Sequence, residues 1–102
     1  MPSPTQRSLA LLKARGYTVA IVEHWNPFAH IRQDLFGFGD LLAIRKGEVL
    51  LVQVTTGGNV SKRVDKITAH DNYPRVVESG IAVSVHGWRK LKAGWLCREV
   101  EL

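Results

Sequence analysis

The stretch Asp40 to Thr56, DLLAIRKGEVLLVQVTT, constrains the fold of this chain more than any other segment. It holds two apolar runs, rich in Leu, Ile and Val, on either side of Lys46-Gly47. Such runs, interrupted by a turn dipeptide, read as two strands of a hairpin, 40–45 and 48–56. Gly57-Gly58-Asn59 then breaks the second strand.

The flanking segments supply the remaining elements. Residues 5–15, TQRSLALLKAR, lack Gly and Pro, with Thr5 placed to cap the start and Gly16 following the end; they predict a helix. Residues 17–23, YTVAIVE, are β-branched and aromatic and predict a strand. Residues 24–39 form a long polar connection whose aromatics Trp25, Phe28, Phe36 and Phe38 suggest an ordered loop with partial strand character. Residues 60–79 are helical in character, with Ser61 as a candidate cap, and Pro74 divides them into a helix to about His70 and a second turn after the proline. Gly80 stops that region. Strands follow at 81–86 and 95–100, separated by a turn near Gly87 or Gly94. A mixed central sheet flanked by helices accommodates this order, an α/β class.

A chain of 102 residues suits one domain, with residues 1–4 expected to be flexible. The lone Cys97 excludes an intrachain disulfide, and its apolar neighbours predict a buried, inert thiol. An intracellular, reducing compartment is the simplest expectation. No leader or spanning apolar run is evident, and no basic amphipathic helix marks a membrane surface. Fourteen Lys and Arg against nine acids give +5, which favours a polyanionic partner.

Chemistry concentrates on the hairpin. Gln53 and Thr55 lie two apart on one strand and so share a face. Two polar residues on one face of a Leu- and Val-rich strand are costly in an ordinary core, although routine on a solvent-facing edge. Asp40 on the paired strand favours a site. Asp40, the Gln53 amide oxygen and a main-chain carbonyl near Val54 form an oxygen set suited to magnesium, with Glu23 or Asp34 reaching it through water. Taken singly, either of these two acids is more often a solvated loop residue.

Helix, strand, then DLLAIRKGEVLLVQVT resembles the PD-(D/E)XK nucleases, in particular archaeal-type and phage Holliday junction resolvase-like nucleases. DLFGFGDLLAI followed by LLVQVTTGG is similar to phage sequences that carry Gln-x-Thr themselves. The resemblance runs from about Thr5 to Val85. It implies a restriction-endonuclease-like αβββαβ core and a metal-dependent DNA endonuclease using Mg2+ or Mn2+. Glu23 would be the first acid, Asp40 the principal metal ligand and Gln53 the second. The resolvases act as dimers, so the resemblance admits a homodimer. The family glutamate is Gln53 here, which keeps an oxygen but loses a charge. The family lysine is Thr55, which carries none. Lys62, and second to it Lys66, are the candidates to replace that lysine, being one turn apart on the following helix.

Further positions suit nucleic acid. Trp88, Arg89 and Lys90 place an aromatic beside cations, and Ser61-Lys62-Arg63 opens a helix where donors can meet a phosphate. A hairpin turn whose tryptophans pack inward is the plainer reading of the first group, and for Trp95 the preferred one. His24, His30, His70 and His86 have no zinc spacing, although His24 and His30 flank the proposed site. No G-x-S-x-G, P-loop or dinucleotide fingerprint is present. The alternatives are a nuclease-fold module that has lost cleavage and binds DNA or protein, and an interaction module using the fold as a scaffold.

Overall fold

The computed structural model describes residues 2–102. Helix α1, Pro4–Ala14, starts one residue earlier than the sequence suggests. Ser3, not Thr5, is the cap: its Oγ accepts from the Gln6 N–H at 3.1 Å. Pro4 then occupies the first helical position, where its missing N–H costs nothing.

Strand β1 is Thr18–Ile21, followed by a short hairpin of β2, His24–Asn26, and β3, Ile31–Gln33. The expected hairpin appears as β4, Leu41–Arg45, and β5, Glu48–Thr56. Beyond a single 3-10 turn lie α2, Val60–Thr68, and α3, Asn72–Glu78. Pro74 sits in the first turn of α3 rather than before it, again where no N–H is needed.

Strand β6, Ala82–Leu91, is longer than expected and runs straight through Gly87; the turn falls at Lys92-Ala93, and β7 covers Gly94–Glu101. Gly87 is in the strand because a side chain there would collide with Val60 of α2. The glycine marks close approach of helix and sheet, not a turn.

The main sheet has the order β1-β4-β5-β6-β7, with β2-β3 as a separate pair. Its one parallel pairing is β5 with β6, joined through α2 and α3; the other neighbours are antiparallel. The molecule is thus a mixed α/β sheet with helices on both faces. Leu12 of α1 packs on Leu41, Ala43, Leu50 and Val52. Leu51 of β5, with Val83 and Val85 of β6, meets Phe38, Val60, Ile67 and Val76 on the opposite side. Each such buried side chain contributes about 1.5–3 kcal/mol. No described helix is long and apolar enough to cross a membrane.

Candidate metal centre

The site is built around Asp40, the residue immediately before β4. Its N–H donates to the Val52 carbonyl at 2.9 Å, and its carbonyl accepts from Val22 N–H at 2.9 Å. Its carboxylate Oδ2 accepts from the Val54 N–H at 2.7 Å. Asp40 is therefore clamped between β1 and β5 and is only 6% exposed.

Leu41 pairs with Val52, so the antiparallel register carried back one residue sets Asp40 across from Gln53. Both lie on the α2 side of the sheet, alternate to Leu41 and Val52, which face α1. The sequence placed Asp40 on the strand paired with that of Gln53, and this register sets the two on one face.

Asp34 arrives by a different route. Leu35 and Gly39 form an isolated antiparallel bridge, with Leu35 N–H donating to Gly39 O at 2.8 Å and Gly39 N–H to Leu35 O at 2.9 Å. The bridge folds FGF into a loop and sets Asp34 opposite Asp40. Phe36 and Gly37 take left-handed backbone angles, φ 57° and 93°. Gly39 lies so close to Leu51 that a β-carbon would collide with that side chain. The Phe-Gly-Phe-Gly run is thus the element that brings two acids together.

Glu23 follows β1 and completes the cluster: one carboxylate oxygen from each of Glu23, Asp34 and Asp40 lies within 4.8 Å of the others. Gln53, 3% exposed, lines the same cleft, and its Oε1 has no hydrogen-bond partner. A buried acceptor without a donor is costly. A hard cation holding oxygens at about 2.0–2.6 Å spans donors up to about 5 Å apart, so this oxygen set fits one. Burial, then the charges of Asp34 and Glu23 and a hydrogen bond with Asp34, push the Asp40 carboxyl up to about 8, against the opposing pull of the Val54 N–H.

The cations near the acids are arginines. Arg63 of α2 and Arg32 of β3 line the cleft of about 170 Å3, and Arg32 approaches Glu23 at 3.4 Å. No lysine is among the described lining residues. Lys62 is exposed and outside this lining. Lys66 borders an adjoining groove with His24, Arg32, Gln33, Asp34 and Gly37. Thr55 is buried on the Gln53 face, one pleat further along β5, and does not line the cleft. His70 packs on Phe38 and accepts from Asn72 N–H, a structural role.

Trp88 is turned to the other face of the sheet, where its indole N–H donates to Ser8 Oγ at 2.8 Å. Arg89 packs toward Gly57, and Lys90 is exposed near the end of β6. Cys97 is half-buried, and burial pushes its thiol up to about 11, consistent with an inert group.

Sequence reasoning overlooked Arg32. The available signal was the Arg-x-Asp spacing of Arg32 and Asp34, which sets both on one side of an extended segment. It also overlooked a chain of contacts beneath α1, in which Ser8 Oγ meets His86 Nδ1 at 2.9 Å and His86 Nε2 faces Glu99 at 3.4 Å. Arg15 grips that glutamate with two nitrogens at 2.6 and 2.8 Å. Ser8 is fully buried, so the serine, histidine and carboxylate here tie α1 to the sheet rather than present a nucleophile.

No protein-family model matches the chain, and no curated protein matches it.

Proposed function

We propose that this protein is a metal-dependent DNA endonuclease with a restriction-endonuclease-like core, hydrolysing phosphodiester bonds at the cleft of Glu23, Asp34, Asp40 and Gln53. The observation that carries the reading is the unpartnered Gln53 Oε1, buried beside three gathered carboxylates. An acid cluster alone is common. A buried amide oxygen without a donor, on a residue that lines the same cleft, adds a candidate cation ligand to that cluster.

Asp40 and Gln53 would hold Mg2+ or Mn2+, with Asp34 and Glu23 completing the set. Such an ion, when bound, lowers the pKa of coordinated water and neutralises phosphate charge. The residues do the rest. Asp40, whose carboxyl burial and neighbouring acids push up to about 8, would have to be deprotonated to act as a ligand. The Val54 N–H fixes the orientation of that carboxylate. Arg63 and Arg32 supply the positive charge that Thr55 cannot, and stand where they can pair with phosphate oxygens. No covalent intermediate with the protein is required.

One observation favours a second reading, a binding module without cleavage. The position matching the family lysine is a buried threonine, and no described lysine lines the cleft. Incubation with labelled four-way junction, duplex and single-stranded DNA, in magnesium, manganese or chelator, separates the two. Metal-dependent cutting that disappears in Asp40→Ala establishes the nuclease. Binding without cutting, indifferent to chelator, establishes the module.

A further inference from the structure

The hairpin of β2 and β3 stands apart from the main sheet and carries large apolar side chains into solvent. Phe28, at its tip, is 95% exposed, and Trp25 is 54% exposed. Ile31 is half exposed. A two-stranded pair of three-residue strands gains little from folding alone, and exposed aromatics do nothing for its stability.

The tip is nevertheless held in shape. Asn26 Oδ1 accepts from the backbone N–H of Phe28 at 3.0 Å and of Ala29 at 3.2 Å. His30 takes a left-handed φ of 53° without being glycine, and its ring meets Trp25 edge-on at 6.3 Å. Asx-type hydrogen bonds and a left-handed residue together define the turn that projects Phe28.

The hairpin is also joined to the acid cleft. Trp25 is the cross-strand partner of Arg32, so the two share one face of the hairpin. Arg32 in turn contacts Glu23. An open groove of about 460 Å3 runs from the hairpin base toward α2, bordered by Arg32 and Lys66 as well as Asp34. Aromatic faces thus lie beside a cationic groove that leads into the cleft. That combination suits a strand whose bases are out of the duplex: arginine and lysine follow phosphates, while aromatic rings stack on bases. Bases paired inside an intact duplex offer no free face to Phe28.

We infer that the β2–β3 hairpin is a base-stacking element, with Phe28 and Trp25 engaging unpaired nucleotides, so that the preferred substrate is single-stranded DNA. The inference rests on the nucleic-acid reading above and names the substrate class of that same cleft. A protein surface is the competing occupant of an exposed aromatic tip. The cations along the groove favour the polyanion.

The test compares fluorescein-labelled single strands carrying either normal bases or abasic sites, which keep every phosphate. Binding is measured in chelator, so that cleavage does not interfere, with wild type, Phe28→Ala, Trp25→Ala and Phe28→Trp. Wild type should prefer the intact strand about tenfold, the usual scale for loss of one stacked base. Phe28→Ala and Trp25→Ala should each reduce that preference severalfold while leaving duplex affinity within about twofold, and Phe28→Trp should retain it. Because Phe28 is almost wholly in solvent, the Phe28 variants should fold as wild type, and circular dichroism checks this for all three. Equal binding of intact and abasic strands by wild type would overturn the inference. So would a Phe28-dependent dimer, seen by sedimentation, that excludes DNA. Phe28-dependent base preference without cleavage in magnesium or manganese would uphold the hairpin's role and defeat the nuclease reading. Cleavage with no dependence on Phe28 or Trp25 would do the reverse.

Discussion

Asp34 and Asp40 face each other across the bridge between Leu35 and Gly39, so two acids six residues apart share one cleft wall. The pairing depends on how closely the loop lies on the sheet. Gly39→Ala would drive a methyl group into Leu51 and displace the bridge. Overpacking of this kind costs about 1–3 kcal/mol, measurable as a lower urea midpoint. The same variant should lose metal-induced stabilisation. Unchanged stability and unchanged metal response would show that the loop does not set the acid geometry.

The raised Asp40 carboxyl makes a signed prediction for pH. Its folded-state value of about 8 lies above its ordinary value of 3.8. The folded protein therefore holds this proton more tightly than the unfolded chain. That stabilisation is full below pH about 4 and is lost as pH rises through about 8. His86 works in the opposite direction, because burial lowers its pKa and so favours stability at higher pH. The Asp40 contribution is therefore read as a difference. In chelator, the gap in stability between wild type and Asp40→Asn should change against wild type from pH 5 to pH 8.5. A gap that is flat with pH would refute the raised Asp40 carboxyl.

Gln53 allows the oxygen set to be adjusted. Gln53→Glu adds a fourth carboxylate and should lower stability in chelator while tightening manganese binding at least about tenfold. A ligand at a hundred times its dissociation constant stabilises by about 2.7 kcal/mol, so thermal melts in manganese report the change. Gln53→Ala should remove most of the metal-induced shift. Identical shifts for wild type, Gln53→Glu and Gln53→Ala would exclude Gln53 as a ligand.

Beneath α1, one donor can be assigned outright. The Trp88 indole can only donate, so Ser8 Oγ accepts there, which leaves its own hydrogen free to donate to His86 Nδ1. With Ser8 as that donor, neutral His86 carries its proton on Nε2, facing Glu99. Nitrogen-15 spectra should show the neutral Nε2–H tautomer. Ser8→Ala leaves both the indole N–H and the imidazole nitrogen without partners, and should cost about 2 kcal/mol or more. A shift below about half of that would mean the buried chain contributes little.

Some of this was legible because it is local. Lys46-Gly47 between apolar runs implied the β4–β5 hairpin, and the period of two set Gln53 and Thr55 on one face. Asp40 and Gln53 could be paired from sequence because a tight turn fixes the register between its two strands. The β2–β3 hairpin was seen only as partial strand character, since its strands are three residues long and show no alternation of burial.

By itself, the sequence determined the α/β order of elements, the strand that carries Gln53 and the acid at the hairpin's start. These follow from hydrophobic period and turn chemistry, which act over a few residues. Tertiary structure alone decided the rest. It turned Trp88 toward Ser8 and away from the acids, because the long β6 strand passes through Gly87 beneath Val60. It brought Arg63 rather than Lys62 to the cleft, because adjacent helical residues point in directions about 100° apart and only packing chooses which one faces the sheet. It gathered Glu23 and Asp34 around Asp40, because strand pairing and a close glycine contact join segments that no local pattern connects.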